Sequence, residues 1–512
     1  LRGTIMKKTT PSIGVNIANL VEYAKANLGL DKYDAIYAHN ALIALFSLQK
    51  PESPSKPIPA LQTGILEPII RYAIDNKLTT EDDSLAFETK IMGLVTPSPS
   101  NVISEFDSIA ATQGTEAACK YLNDLGWNSN YLRHVDIRKN LVWKVDLPDG
   151  AIIVSINLAK PEKDNKQVAA QRVAPQDKYP KCPICLENLG LSGKRDTLRL
   201  IPFYLNDEPW FLQFSPYVYF DNHCIAVADD HRPMKVDRNT FVRLLDFVEM
   251  FPHYFMGSNS DLPIVGGSIL SHEHYQGGSK VLPMFERNNK TYYYSQNHPA
   301  VGISILDWYN SVIKLTSLNR RELENQAEEI LNAWKTYSDE SVHILAKTTE
   351  QHNTITVIAT YDKSNGYSLY LILRNNRTDK EHPYGIFHPT EDMHNIKKEG
   401  IGLIEAMGLY ILPGRLDREC KLIVDILTGK TPLNFQELTK EDHPLFKHLG
   451  MVMQLSNDNG LELTEDEAKQ AVKDYINHKC VDILRCTAAF KHDEQGVKAF
   501  DKFMSSMNLK QQ

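Results

Sequence analysis

Three side chains capable of polar chemistry lie two residues apart in the segment between Gly266 and Gly278. They are His272, His274 and Gln276. Successive side chains of an extended strand alternate between its two faces, so the spacing predicts that these three share one face. Neutral imidazole acts as a metal ligand and as a nucleophile, and glycine lets backbone amides come close to a phosphate. The segment therefore predicts phosphorus chemistry at a histidine.

The two histidines are predicted to have different tasks. Two charged imidazoles on one strand face would repel each other. Both stay neutral most readily when one binds a metal and the other is held by a backbone carbonyl. This division gives His272 to the metal and leaves His274 free to attack, while Glu273 and Tyr275 project from the opposite face. The alternative is a pair of buried histidines in a polar core network, and the glycine pairs on either side count against it.

The pair Cys182 and Cys185 forms a CxxC motif that has three interpretations: half of a zinc site, a redox pair, or two core cysteines. A zinc site needs two more ligands at about 2.0 to 2.3 Å, and because no second CxxC exists these would be histidines. His231 follows a predicted strand and precedes a predicted helix, where a side chain can face inward. His223 lies in a turn and is predicted to face solvent.

Composition excludes several classes of protein. The 512 residues are 42% hydrophobic and 23% charged, and the formal net charge of −8 argues against a dedicated nucleic-acid binder. No run approaches the roughly 18 apolar residues that a membrane span needs. Met6 is expected to be the natural start, and no secretory signal is expected after it. Seven scattered cysteines do not resemble a disulfide framework, so a cytoplasmic location is predicted.

Hydrophobic periodicity and turn residues indicate an α+β protein with helices outside mainly antiparallel sheets. Two hairpins are predicted at Pro148-Asp149-Gly150 and Ser364-Asn365-Gly366, and Gly400 to Leu412 is predicted to be helical. The order of strands, helix and strands occurs twice, but the His-x-His-x-Gln set does not recur. Four segments follow: a helical N-terminal region at 1–135, the half with the histidine segment at 136–300, a second half at 301–425, and a helical C-terminal region at 426–512.

Three phrases of the sequence together resemble one enzyme family. They are Cys-Pro-Ile-Cys-x-Glu-Asn from Cys182, Asp-Asn-His-Cys-Ile-Ala-Val from Asp221, and Ser-His-Glu-His-Tyr-Gln-Gly-Gly from Ser271. They resemble the galactose-1-phosphate uridylyltransferase family of the histidine-triad-like superfamily. Glu273 stands where the better-known branch has proline, and this difference, with the helical N-terminal region, resembles the Gram-positive-type branch.

The resemblance implies a fold of two related histidine-triad-like halves, of which the second is degenerate, and a function for each candidate residue. The family exchanges UMP between UDP-glucose and galactose 1-phosphate in galactose metabolism, the Leloir pathway, through a uridylylated histidine. It implies His274 as the nucleophile and Gln276 as the donor to a phosphate oxygen. The implied substrate contacts are Asn259, Gly267, Ser268, Ser271 and Arg172. The implied zinc ligands are Cys182, Cys185, His231 and His272.

The resemblance also implies a homodimer. No organic cofactor is expected, and charge and composition predict no nucleic-acid or membrane partner. Two alternatives remain open. Another histidine-triad-like nucleotidyltransferase, such as a dinucleoside-polyphosphate phosphorylase, would release nucleoside diphosphate when given phosphate. A zinc-stabilised binding module without activity would never carry a covalent nucleotide.

Overall fold

The computed structural model describes residues 11–158, 179–193, 195–267 and 269–512, and two compact units divide them. The first unit takes the described parts of Leu1–His134, Lys178–Pro202 and Phe211–Pro216. The second unit takes the described parts of Val135–Asp177, Phe203–Trp210 and Tyr217–Gln512. The division of the chain into four segments stays a prediction.

The helical N-terminal region begins with capped helices. Ser12 accepts a hydrogen bond from the Val15 amide at one helix start, and Asp31 accepts from two amides at the next. Helices α1 to α7 are Ile13–Asn27, Lys32–Leu45, Glu67–Asp75, Ser84–Val95, Pro99–Gln113, Thr115–Asn128 and His134–Ile137. A π-helical turn, Leu61–Leu66, precedes α3. The helical character predicted for this region is confirmed in its described part.

The strands lie after this region and are short apart from one hairpin. Strands β1 to β7 are Leu141–Val145, Ile152–Asn157, Ile201–Leu205, Glu208–Phe214, Cys224–Ala228, Tyr254–Ser258 and His274–Ser279. Strands β8 to β14 are Asn289–Tyr294, Gly302–Leu306, Val312–Ser317, Asn353–Asp362, Gly366–Asn375, Leu409–Pro413 and Lys510–Gln511. Both predicted hairpins are confirmed, as β1–β2 and as β11–β12.

The remaining helices pack around these strands. Helices α8 to α15 are Arg238–Met250, Arg320–Thr336, Leu403–Ala406, Arg415–Leu427, Phe435–Leu438, Leu449–Asn459, Glu465–Thr487 and Glu494–Ser506. Short 3₁₀ turns lie at Leu186–Asn188, Pro283–Glu286, Glu340–Val342, Glu391–Met393 and Phe446–His448. Helix α8 begins at a capping box, in which Asp237 and Thr240 satisfy each other's backbone amides.

The large sheet contains the same arrangement of strands twice. Over the described residues its order is β14-β8-β9-β10-β12-β11-β6-β7-β5-β4-β3. The order β3-β4-β5-β7-β6 matches β8-β9-β10-β12-β11, and a long helix follows the third strand of each set, α8 in the first and α9 in the second. The α+β class with two related antiparallel halves and flanking helices is confirmed.

A second sheet corrects one prediction. The segment Gly400 to Leu412 is not a continuous helix, because it contains only the single turn α10 and then strand β13. β13 pairs in parallel with β2, from Leu409 opposite Ile153 to Pro413 opposite Asn157. Four of its five residues are buried, so an unbroken apolar run fits a strand as well as a helix, and the tertiary pairing decides between them.

Candidate active site and metal centre

Strand β7 lies between β5 and β6, with His274 opposite Val227 and Gln276 opposite Gly257. The strand begins at His274, so His274 and Gln276 share one face of it and His272 lies just before it. The following glycines are required by packing. A Cβ atom at Gly277 would lie 2.1 Å from the Phe255 carbonyl oxygen, a distance that no side chain tolerates.

His274 is held so that one ring nitrogen keeps its lone pair. The ring is buried, and its Nδ1 lies 2.8 Å from the backbone carbonyl oxygen of His272. A carbonyl oxygen only accepts, so Nδ1 carries the proton and Nε2 keeps the lone pair in the neutral ring. Burial lowers the pKa of His274, which keeps the ring neutral near physiological pH.

His272 is also held through a carbonyl. Its Nε2 lies 2.8 Å from the Ala228 carbonyl oxygen, and burial lowers the pKa of His272 to about 4. Nε2 therefore donates to Ala228, and Nδ1 is the nitrogen that remains for a metal ion. Each histidine of the pair thus uses one nitrogen for a backbone carbonyl and keeps the other for chemistry.

The four predicted metal ligands lie together. The ligand atoms of Cys182, Cys185, His231 and His272 are all within 4.8 Å of one another. The two sulfur atoms are 3.3 Å apart, and Asn188 shapes their turn by donating to the carbonyls of Cys182 and Cys185. Zinc bonds of about 2.0 to 2.3 Å in a tetrahedron place ligand atoms roughly 3.3 to 3.8 Å apart, so this Cys₂His₂ set fits zinc.

Replacing Cys182 with serine is expected to lower the zinc content from about one ion per chain to a small fraction, because serine is a poor zinc ligand. Burial raises the pKa of the Cys182 thiol, so binding zinc must release its proton. The melting temperature is expected to fall as well. Elemental analysis of gel-filtered protein measures the first quantity and thermal melting the second. Cys420→Ser is the matched control, and zinc retained by Cys182→Ser would contradict the assignment.

The opposite face of the histidine segment carries a buried ionic network. Glu273 binds Arg232 at 2.6 Å and Arg243 at 2.9 Å, and both arginines also bind Glu208. The side chains of Glu273 and Arg243 are only 3% and 7% exposed. The Tyr275 hydroxyl donates to Glu273 at 3.0 Å. The carboxylates of Glu208 and Glu273 and the guanidinium groups of Arg232 and Arg243 therefore balance each other's charge on the face of the histidine segment opposite His274.

An aromatic ring covers this network. Trp210 stacks on Tyr275 with ring centroids 4.8 Å apart, and the guanidinium groups of Arg232 and Arg243 lie 5.9 and 5.8 Å from its centre. The Glu273 amide also donates to the Arg232 carbonyl at 2.7 Å. Because Arg232 follows His231, the network holds the loop of this predicted metal ligand against the segment that carries His272, another predicted ligand.

The prediction that His223 faces solvent is wrong. Its ring is 2% exposed, and its Nε2 lies 3.2 Å from the Oε1 atom of Gln276. His223 directly precedes β5, whose residue Ile225 pairs with Gln276, and this pairing brings the two side chains together. The turn that ends at His223 therefore belongs to the candidate site. The signal in the sequence was the position of this histidine next to a strand, rather than in the middle of a loop.

The structure describes three of the five predicted substrate contacts, Asn259, Gly267 and Ser271. Ser268 and Arg172 lie outside the described residues. Asn259 is buried, its Oδ1 accepts from the Leu403 amide at 2.8 Å, and a Cβ atom at Gly267 would lie 2.8 Å from its Nδ2. Ser271, which is partly exposed, directly precedes His272. Asn259 thus joins the end of β6 to the first residue of α10.

Comparison with known proteins assigns the chain to a class and to a family. Residues 32–233 match the model for the N-terminal domain of galactose-1-phosphate uridyl transferase, and residues 247–423 match the model for its C-terminal domain. These matches, on an α+β fold of two related halves, define an enzyme of the nucleotidyltransferase class. The chain belongs to the galactose-1-phosphate uridylyltransferase family.

Full-length relatives agree with the family match. A galactose-1-phosphate uridylyltransferase of Caldanaerobacter subterraneus is 43% identical over 98% of this chain and 99% of its own length. The enzyme of the same name from Bacillus subtilis is 38% identical over 98% of each chain. Among solved structures, yeast Ap4A phosphorylase Apa2 overlaps 67% of this chain and 92% of its own at 11% identity, with a TM-score of 0.32.

In the described parts of the chain, no helix is both long and apolar enough to cross a membrane.

Proposed function

We propose that the enzyme transfers UMP from UDP-glucose to galactose 1-phosphate, in galactose metabolism (the Leloir pathway), through a covalent uridylyl group on His274. The observation that carries this proposal is the fixed ring of His274. Its Nδ1 donates to the His272 carbonyl at 2.8 Å, and the remaining Nε2 lone pair is the nucleophile. The names of the full-length relatives support the substrate pair.

The proposed reaction has two balanced steps. In the first, Nε2 attacks the α-phosphorus of UDP-glucose, a phosphorus–nitrogen bond forms, and the bond to the β-phosphate oxygen breaks. Glucose 1-phosphate leaves with the electron pair. In the second, a phosphate oxygen of galactose 1-phosphate attacks the same phosphorus, and the electron pair of the phosphorus–nitrogen bond returns to Nε2. UDP-galactose leaves, and the Nδ1 proton stays on the imidazole, donated to the His272 carbonyl throughout.

Two further groups support these steps. Gln276 lies one strand step beyond His274 on the same face, where its amide can donate to a nonbridging phosphate oxygen as negative charge develops. The Cys182, Cys185, His231 and His272 set would hold zinc as a structural ion. His272 supplies the carbonyl that orients His274, so fixing His272 also fixes the nucleophile.

We also propose that the enzyme is a cytoplasmic homodimer that binds no nucleic acid. The odd, dispersed set of seven cysteines and the net charge of −8 support the location and the absence of a nucleic-acid partner. The dimer follows from the family. Sedimentation equilibrium measures the assembly state directly.

Labelling with UDP-glucose that carries ³²P in the α-phosphate tests the covalent step. Without an acceptor, the wild-type protein is expected to take up acid-labile label to about one equivalent per chain, because the first step stops at the intermediate. Galactose 1-phosphate is expected to release the label as UDP-galactose. His274→Asn is expected to remain unlabelled, and His253→Asn serves as the matched histidine control.

The same experiment separates the alternatives. Release of the label by inorganic phosphate, with no response to galactose 1-phosphate, would identify a phosphorolytic enzyme. Wild-type protein that takes up no label at saturating UDP-glucose would remove the covalent mechanism.

A further inference from the structure

The buried ring of His223 contacts the one side chain of β7 that is proposed to stabilise charge on the phosphate. We infer that His223 is a positioning residue for Gln276: it fixes the carboxamide so that the NH₂ group faces the substrate. The inference rests on the proposed function of Gln276. It concerns the orientation of this amide, and His223 itself touches no reacting atom.

The hydrogen bond between the two side chains has a direction. The Oε1 atom of Gln276 can only accept, so the Nε2 atom of His223, 3.2 Å away, must carry a proton and donate it. The oxygen end of the carboxamide therefore faces His223, which is 2% exposed. The NH₂ end faces the other way, and Gln276 is partly open to solvent, so the donor end points to the accessible side of β7.

Two neighbouring aromatic rings hold the imidazole in this position. Tyr219 stacks on His223 with centroids 5.2 Å apart and planes 25° apart, and Phe220 lies 4.8 Å away at 32°. Phe220 in turn stacks on Phe255 of β6 at 5.6 Å. The ring therefore cannot turn away from Gln276 without disrupting a series of packed rings, so the donor has a fixed position before substrate binds.

A free glutamine amide would not provide this orientation. Rotation about the last side-chain bond of glutamine is broad and roughly two-fold, so the oxygen and the NH₂ group exchange places at little cost. With the oxygen toward the substrate, a lone pair would face the negative phosphate oxygen. A fixed donor stabilises developing charge with no reorganisation during the reaction. His223 thus selects the productive one of two amide orientations.

The test uses His223→Phe, which keeps an aromatic ring in the stack and removes the donor. Single-turnover uridylylation of the full-length enzyme by UDP-glucose is expected to slow by about tenfold, because the amide loses the donor that fixes it and the wrong amide orientation becomes accessible. The KM for UDP-glucose is expected to change by less than the rate. His253→Phe, an identical substitution at a ring that contacts Tyr254 at 4.1 Å, is the control and is expected to keep the wild-type rate.

Two further variants distinguish positioning from packing. The terminal NH₂ of glutamine reaches about as far as the imidazole Nε2, so His223→Gln is expected to restore most of the lost rate. In a Gln276→Ala background, His223→Phe is expected to have no further effect beyond about twofold, because the side chain that it positions is gone. Thermal melting of each variant accompanies the kinetics.

The inference is overturned if His223→Phe keeps the wild-type rate, if His223→Gln is as slow as His223→Phe, or if His223→Phe slows the enzyme equally with and without Gln276. Wild-type protein is labelled in the same series. Label on the wild-type protein keeps the proposed function intact whatever the His223 variants do, so the two proposals fail separately.

Discussion

Replacing His274 with asparagine is expected to lower kcat by roughly 10⁴- to 10⁶-fold, the range typical of losing a covalent nucleophile. The asparagine Nδ2 takes the place of the imidazole Nδ1 and can still donate to the His272 carbonyl. The backbone of β7 therefore keeps its position, and only the Nε2 lone pair is lost. Steady-state formation of UDP-galactose measures the effect. Calorimetric titration with UDP-glucose is expected to show binding within a few-fold of wild type, since the lost atom acts on the transition state.

His253→Asn is the control for the chemical change itself and is expected to keep full activity. A His274→Asn protein with the wild-type melting temperature and more than a tenth of wild-type kcat would contradict the assignment of the nucleophile.

Replacing Arg243 with methionine is expected to lower the free energy of unfolding by about 3 to 5 kcal/mol, the usual cost of removing one partner from a buried ion pair. Arg243 is 7% exposed and binds both Glu273 and Glu208, so its loss leaves two carboxylates facing Arg232 alone. Because Glu273 lies between His272 and His274, zinc content and kcat are expected to fall together with stability. Urea-induced unfolding measures the first effect, and elemental analysis and turnover measure the others.

The double variant Arg243→Met with Glu273→Gln tests the charge balance. It removes one charge of each sign and leaves Arg232 with Glu208, so its loss of stability is expected to be smaller than the sum of the two single losses. Arg71→Met is the surface control, because the Arg71–Glu67 pair is 74% and 58% exposed and is expected to contribute less than about 1 kcal/mol. Additive losses in the double variant would show that the four groups do not act as one network.

The sequence supported those features that depend on local spacing. The turn residues at 148–150 and 364–366 correctly predicted two hairpins. For the metal set, the lone CxxC motif indicated histidine partners, and the resemblance to the family selected His231 and His272 among the candidates. The structure brings those four residues within ligand distance of one another.

Features that depend on contacts between distant segments of the chain could not be predicted from local spacing. Nothing near Leu409 indicates that this segment pairs with Ile153, a residue far earlier in the chain. The ionic network joins Glu208, Arg232, Arg243 and Glu273, which come from a strand, a loop, a helix and the segment before β7. Charged residues at such separations look like ordinary surface residues. The twin glycines were associated with phosphate approach, and Gly277 proves necessary for the fit between β7 and Phe255.

The two matching halves of the large sheet pair along a short stretch of β6 and β11. This pairing indicates a structural role for the half that lacks the His-x-His-x-Gln set. Residues Met256, Gly257 and Ser258 of β6 pair with Ala359, Ile358 and Val357 of β11. If the second half were deleted, β6 would become an open edge next to the strand that carries His274, and open edges invite fraying and association with other chains. At Gly257 a Cβ atom would lie 2.9 Å from the Val357 carbonyl oxygen, so the join is tight. The second half thus covers the edge of the half that carries His274.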